Sequence, residues 1–216
     1  MKIPAWTYSS LDKFETCPRQ YYHVKVSKDV VEPPTEHTVW GGKVHEAFEY
    51  RIKDGTPLPE GMQQWEGIAS KIAALPGEKF CEIKLSIDAN FQPSEWSNSW
   101  SRGIADLLVV HGSTAAILDY KTGKKKPTEQ TMLYAGYVFA HYPTVEVVKT
   151  SLVWLKEKKF TNEEFKREEV PVIWKSFLPR VNKVNSAYER DAWPPRPSGL
   201  CKAWCHVMSC EFNGKR

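Results

Sequence analysis

The chain has no apolar run of the roughly 18 residues that would mark a transmembrane helix, so no membrane-spanning segment is expected. Its opening stretch, MKIPAWTYSSL, has neither the apolar core of a signal peptide nor the arginine-rich pattern of a transit peptide. A soluble protein in a reducing, cytoplasmic setting is the expectation, with no membrane partner. Charge of neither sign dominates. Thirty Lys and Arg against 26 Asp and Glu leave a net charge of +4, compatible with a polyanionic partner without demanding one. Internal repeats and low-complexity segments are also lacking, which excludes a solenoid or a long disordered tail. Cysteine is sparse, with five in all; outside a secretory setting, disulfides are disfavoured and metal or cluster ligation gains weight. What is present is 216 residues with 41% hydrophobic content, enough for one α/β core and a small appendage. The strongest breaks, Glu32-Pro33-Pro34 and Trp193-Pro194-Pro195-Arg196-Pro197, read as ordered loops or short extended linkers.

The stretch that organises the rest is GIADLLVVHGSTAAILDYK, residues 103–121. Gly112-Ser113 between two apolar runs is the signal for a two-residue β-hairpin turn. A two-residue turn makes the numbers of facing residues sum to 225, so Val110 faces Ala115, Leu108 faces Ile117 and Asp106 faces Asp119. Facing Cβ atoms lie about 4.5–5.5 Å apart, which brings two carboxylates together at the open end. Period-two alternation places Lys121 on the face of Asp119. Like charges held this close are costly unless a cation lies between them, so the pattern points to a hard divalent metal with an ammonium beside it. The apolar flanks make both strands buried, where unpaired carboxylates are expensive.

The other elements follow in order. Ser9-Ser10-Leu11-Asp12 is a capping pattern opening a helix whose buried residues are Trp6, Leu11, Phe14 and Tyr21. Residues 40–54 form a helix with Val44, Phe48 and Ile52 on one stripe. His45 lies beside that stripe and becomes a metal-ligand candidate if the helix packs over the hairpin mouth. Residues 62–75 carry a weaker helical pattern. Residues 79–88 alternate as a strand with one buried face; Glu82 points either to the metal site or to solvent, and Cys81 sits on the apolar face. Residues 94–101 form a loop, and Arg102 meets phosphate or solvent. After the hairpin, Lys124, Lys125 and Lys126 form a basic loop at the carboxylate end, where phosphates would lie. A helix over 129–142 puts Gln130 and Tyr134 on one face. Two strands follow, 145–157 and 159–170, the second polar as suits a sheet edge. The last helix, 171–190, is expected to be kinked or divided at Pro179.

The tail, GLCKAWCHVMSCEFNGKR, holds three cysteines in ten residues. Thiolates suit zinc and iron–sulfur centres, so Cys201, Cys205 and Cys210 read as soft-metal ligands. Cys17 is the natural fourth donor, with His206 competing.

Taken together, GIADLL…ILDYKTGK, the later Gln130-x3-Tyr134, and the upstream helical His45 after Gly-Gly resemble the RecB-like branch of the PD-(D/E)xK nuclease superfamily. The SSLDKFETCPRQYY start and the three-cysteine tail are similar to the iron–sulfur exonucleases of that branch: the CRISPR-associated RecB-like exonucleases, the AddB nuclease domain and the exonuclease V type. The resemblance covers nearly the whole chain. It implies a restriction-endonuclease-like fold, α/β with a central mixed β-sheet flanked by helices, as one nuclease domain over 1–216. Residues 1–39 and 193–216 would form a cysteine-cluster appendage joining the chain ends. It implies Mg²⁺ or Mn²⁺ held by His45, Asp106, Asp119 and the carbonyl of Tyr120. Lys121 would orient or help deprotonate the attacking water, and Gln130 and Tyr134 would support the site and the DNA. Cys17, Cys201, Cys205 and Cys210 would hold a [4Fe–4S] cluster. The family's usual tail spacing is C-x2-C-x5-C and here it is C-x3-C-x4-C, so the middle ligand is displaced by one residue, which keeps zinc or an empty site open. The implied activity is a DNA exonuclease on single strands or duplex ends, in recombination, repair or CRISPR and phage DNA processing, with a helicase or recombination partner. An endonuclease using the same residues, and a non-catalytic DNA-binding module stabilised by the cysteine site, are the alternatives. Arg102 and Lys124–Lys126 are candidate DNA contacts, and Tyr21, Tyr22 and Trp40 either stack on bases or belong to the core.

Overall fold

The computed structural model of the chain describes Ile3–Lys215; Met1, Lys2 and Arg216 lie outside the described residues. In chain order the elements are helices α1 (Tyr8–Thr16), α2 (Pro18–Tyr21), α3 (Glu36–Lys53) and α4 (Glu66–Ala73), and strands β1 (Glu78–Ile87), β2 (Ser101–His111) and β3 (Thr114–Lys121). Then come α5 (Gln130–His141), β4 (Val147–Trp154), β5 (Lys159–Lys166), α6 (Val170–Arg190) and the short α7 (Leu200–Ala203). The described residues fall into two compact units, one Thr35–Trp174, the other the segment up to Pro34 with that from Lys175 onward.

The first unit is α/β, as expected, with one five-stranded mixed sheet in the order β1-β2-β3-β4-β5. The β2–β3 hairpin turns on Gly112, whose φ of 58° is the left-handed conformation that a tight turn asks of its first central residue. Its register is the expected one: Leu107 pairs Leu118, Leu108 pairs Ile117 and Val110 pairs Ala115. β3 and β4 run parallel, and α5 is the crossover that parallel neighbours require. Turned to α3 and α4 is a core of Val44, Phe48, Trp65, Ile72, Leu107, Val109 and Tyr120. Each large side chain buried there contributes about 1.5–3 kcal/mol, which holds α3 against the hairpin. The opposite face packs on α5, which is buried over nearly its whole length.

Several boundaries differ from the sequence expectation. Helix α3 starts at Glu36, four residues early, because Thr35 and Thr38 form a reciprocal capping box. Thr7, with Ser10 three residues on, caps α1 in the same way. Residues 60–65 are a 3₁₀ segment preceding α4, so the 62–75 pattern is two elements. β5 ends at Lys166, and α6 runs undivided through Pro179.

In the second unit, Arg180 makes a paired ion contact with Glu15 (2.7 and 2.8 Å) and lies over the rings of Tyr8 and Phe177. Tyr21 is 3% exposed and stacks on Trp193 at 6.0 Å, so it belongs to the core.

Candidate active site

The site forms where the β2–β3 ladder opens. The pairing stops at Leu107↔Leu118, one step before Asp106 and Asp119 would meet. Asp106 is not laddered to Asp119; its Oδ2 instead accepts the backbone N–H of Tyr120 at 2.6 Å. The neighbouring strand is irregular at the same level. β1 pairs with β2 so that partner numbers sum to 188, but the Glu82–Asp106 pair is missing from an otherwise continuous ladder. Glu82 has φ 48°, a left-handed conformation costly for a residue with a side chain. Strain of this kind, of order 1–3 kcal/mol, concentrates at functional sites.

Three side chains converge at this opening. The ligand atoms of His45, Glu82 and Asp106 all lie within 4.8 Å of one another, and among the described residues no other group of three His, Cys, Asp or Glu does so. α3 therefore does pack over the hairpin mouth, the condition that made His45 a candidate. Its Nδ1 lies 3.3 Å from Asp106 Oδ1 and its Nε2 2.9 Å from the Tyr120 carbonyl oxygen. Burial alone would lower the His45 pKa, but Asp106, the Tyr120 carbonyl and Asp119 together raise it. Both ring nitrogens thus face acceptor oxygens at the point where a cation is called for. Burial, with Asp106 next, also raises the Glu82 carboxyl above its usual range.

Asp119 and Lys121 lie on one side of β3, as alternation requires. Lys121 Nζ is 2.6 Å from Asp119 Oδ2 and donates to Gln130 Oε1 at 2.9 Å. Gln130 Nε2 donates to the Tyr134 hydroxyl at 3.1 Å, and that hydroxyl donates to the Ile104 carbonyl at 2.7 Å. A chain of polar contacts thus runs from the ammonium through α5 and back to β2. Asp119 is 2% exposed; burial first, then Asp106, push its pKa up to about 6 against the pull of Lys121.

Glu82 is the ligand candidate that sequence reasoning left undecided, and the signal that places it is the β1–β2 register. Of the expected nucleic-acid contacts, Arg102 donates from Nη1 to the Trp96 carbonyl at 2.8 Å, and Lys124–Lys126 form an exposed loop in which the Lys125 N–H reaches Glu157 at 3.2 Å.

A family model described as the PD-(D/E)XK nuclease superfamily matches residues 5–211. The chain belongs to the PD-(D/E)XK nuclease superfamily. Membership makes it a hydrolase acting on nucleic acid, and the five-stranded mixed sheet is consistent with the restriction-endonuclease-like fold. Among solved structures it is similar to SSO0001 at 12% identity, over 99% of this chain and 88% of that one, with a TM-score of 0.47. It is also similar to a "Putative exonuclease" from Eubacterium rectale at 12% identity, over 91% and 85% of the two chains, with a TM-score of 0.49. No curated protein matches it.

PD-(D/E)XK nucleases use divalent metals, and the donor set here fits one. A histidine and two carboxylates suit a hard or borderline cation, and burial first, then Asp106, make the ionised forms of Glu82 and Asp119 costly in a way a cation would relieve.

The expected cysteine ligands meet within the second unit. Cys17, Cys201, Cys205 and Cys210 line one small cavity. Burial first, then the neighbouring thiols of Cys201, Cys17 and Cys210, raise the Cys205 pKa. The backbone N–H groups of Arg196 and Ser198 donate to the sulfurs of Cys17 and Cys201, each at 3.4 Å. Gly214 is required here, because a Cβ would lie 2.9 Å from the Cα of Lys202.

Proposed function

We propose that the protein is a Mg²⁺- or Mn²⁺-dependent DNA exonuclease of the RecB-like branch, acting on single strands or duplex ends. The observation that carries this reading is the convergence of His45, Glu82 and Asp106 at the opened hairpin seam, with Lys121 anchored beside Asp119. His45, Glu82 and Asp106 would hold the cation, with the Tyr120 carbonyl and Asp119 as further donors. Such an ion supplies Lewis acidity, lowering the pKa of water and offsetting charge on the phosphate.

The chain's own groups do the positioning. Asp106 is aimed by the Tyr120 N–H, so its free lone pairs face the opening. As a ligand, His45 would offer one ring nitrogen to the cation, giving up one of its two contacts, while the other nitrogen keeps its partner and fixes the ring. Lys121 holds a fixed positive charge beside the nucleophile's approach, where it stabilises hydroxide and the charge developing on phosphorus. Gln130 and Tyr134 are positioning residues: they keep the lysine's flexible stem in one place.

The second part of the proposal is that Cys17, Cys201, Cys205 and Cys210 hold a [4Fe–4S] cluster. Zinc with thiolates at about 2.3 Å would draw all four sulfurs closely together. All four thiols line one cavity, the grouping that a thiolate-held centre would need.

End-labelled single-stranded DNA incubated with Mg²⁺, Mn²⁺ or EDTA tests the nuclease reading. Metal-dependent release of short products, with circular DNA left intact, supports an exonuclease. Cleavage of the circle moves the assignment to an endonuclease, and binding without cleavage moves it to a binding module. Broad visible absorption from sulfur-to-iron charge transfer supports the cluster; a colourless, zinc-containing anaerobic preparation rejects it.

A further inference from the structure

Below the opened seam, β1 and β2 carry a strip of sheet whose facing residues Lys84 and Ile104 are exposed. Its direction is set by the pair Leu85↔Gly103. A Cβ on Gly103 would lie 2.5 Å from a Tyr134 ring carbon and 3.2 Å from Tyr137, so this pair faces α5. Alternation turns the adjoining pairs, Lys84↔Ile104 and Ser86↔Arg102, to the opposite face, the one on which α3 brings His45 to Asp106. Lys84 is exposed and Ile104 is 39% exposed, so this part of the face is open. Trp96, from the loop joining β1 to β2, lies against it. The Arg102 guanidinium is 4.8 Å and the Lys84 ammonium 5.7 Å from its ring centroid.

Same-face residues along a strand are about 7 Å apart, so Ile104 lies one step and Arg102 two steps from Asp106. That interval is comparable to the spacing of phosphates along an extended nucleic-acid strand. Two cations, an exposed aliphatic side chain and an indole thus follow one another outward from the ligand cluster. Cations track a phosphate backbone, while an indole offers a stacking surface to any unpaired base and none to a base already stacked in a duplex.

We infer that this strip is a binding track for single-stranded nucleic acid on one side of the cleaved phosphate, with Lys84 and Arg102 meeting successive phosphates and Trp96 stacking a base. The inference rests on the nuclease reading in taking the seam as the point of cleavage. Lys84, Ile104 and Trp96 lie outside the ligand cluster, so the track can be altered without touching the metal donors.

The experiment compares wild type with Lys84→Glu, Ile104→Glu and Trp96→Leu. Anisotropy of a labelled oligothymidylate in EDTA reads binding without chemistry. Each variant is expected to bind at least about tenfold more weakly, the scale of one lost stacked base or phosphate contact. Lys84→Glu is also expected to flatten the salt dependence of log K by about 0.7 or more, the single-strand value per phosphate. Wild type is expected to prefer the single strand over a blunt duplex of equal length. Hydrolysis of bis(p-nitrophenyl) phosphate, too small to reach the strip, is expected to stay at the wild-type rate in all three variants. Ile104→Glu and Lys84→Glu change exposed residues, so they keep the test open if Trp96→Leu fails to fold. Wild-type oligothymidylate affinity in both charge variants would overturn the inference, as would equal losses on the small diester. Wild type that binds the strand through this strip but hydrolyses neither substrate with Mg²⁺ or Mn²⁺ would overturn the nuclease reading and leave the track standing.

Discussion

Asp119→Asn is expected to make the metal-free protein more stable while abolishing hydrolysis. In the folded chain the Asp119 carboxyl has its pKa pushed up to about 6 from 3.8, by burial first and Asp106 second. A shift of about two units at ~1.4 kcal/mol each means that the charged form costs the fold about 3 kcal/mol near pH 7.5. The sign follows from linkage: a carboxyl with a raised folded pKa favours the fold below its unfolded value, and that contribution is lost as pH rises through about 6. Asparagine removes the charge but buries an amide whose hydrogens lack partners, which takes back about 1–2 kcal/mol. A net gain of about 1–2 kcal/mol corresponds to a melting temperature about 2–8 °C higher for a chain of this size. Calorimetry in EDTA at pH 7.5 reads that gain directly. At pH 5 the charge cost falls to about half, so the net gain should fall to about zero, because wild-type Asp119 is then largely protonated. Added Mg²⁺ should stabilise wild type more than the variant, which keeps His45, Glu82 and Asp106 but lacks one further donor. An asparagine variant that melts at or below wild type at pH 7.5, or whose difference does not change with pH, refutes the reading of Asp119 as a costly buried charge.

Other outcomes follow from the same contacts. Gln130→Ala frees the Lys121 stem, so kcat should fall at least about tenfold with KM and metal affinity near wild type; Tyr134→Phe, which breaks only the far end of the chain, should cost less. Glu82→Gln should move the Mg²⁺ activation curve upward by about 10–100-fold, measured as initial rate against metal concentration. Gly103→Ala would push a methyl to 2.5 Å from the Tyr134 ring, so stability should drop by about 1–3 kcal/mol in urea titration and activity should fall with it. If the four cysteines hold the proposed cluster, Cys205→Ser removes its visible absorption and lowers stability, while oligothymidylate binding by the proposed track in EDTA stays at the wild-type value.

Much of the site was legible because its determinants are local. A two-residue turn and a period of two suffice to set which residues oppose one another, so the sum of 225 across the hairpin could be counted from the chain alone. The Asp119–Lys121 contact and the Gln130–Tyr134 pair are likewise spacing rules, two along a strand and four along a helix. Cys17 and the tail cysteines Cys201, Cys205 and Cys210, which the sequence reading grouped, line one cavity in the structure. Helix starts at Thr7 and Thr35 were less legible, since a reciprocal threonine cap lies outside the apolar stripe that locates a helix.

Three features were decided only by tertiary structure. Glu82 reaches the site because β1 docks on β2 in one register, a long-range choice that no single segment encodes. The hairpin stops one pair before Asp106 and Asp119, since Asp106 finds a better partner in the Tyr120 N–H than in a second carboxylate. His45 becomes a ligand candidate only because α3 packs on the hairpin through Val44 and Phe48. Turn chemistry and side-chain period act between near neighbours and can be counted along a chain; the meeting of an acid from one strand with a histidine from a distant helix depends on which buried surfaces pack together, and that is settled only when the core forms.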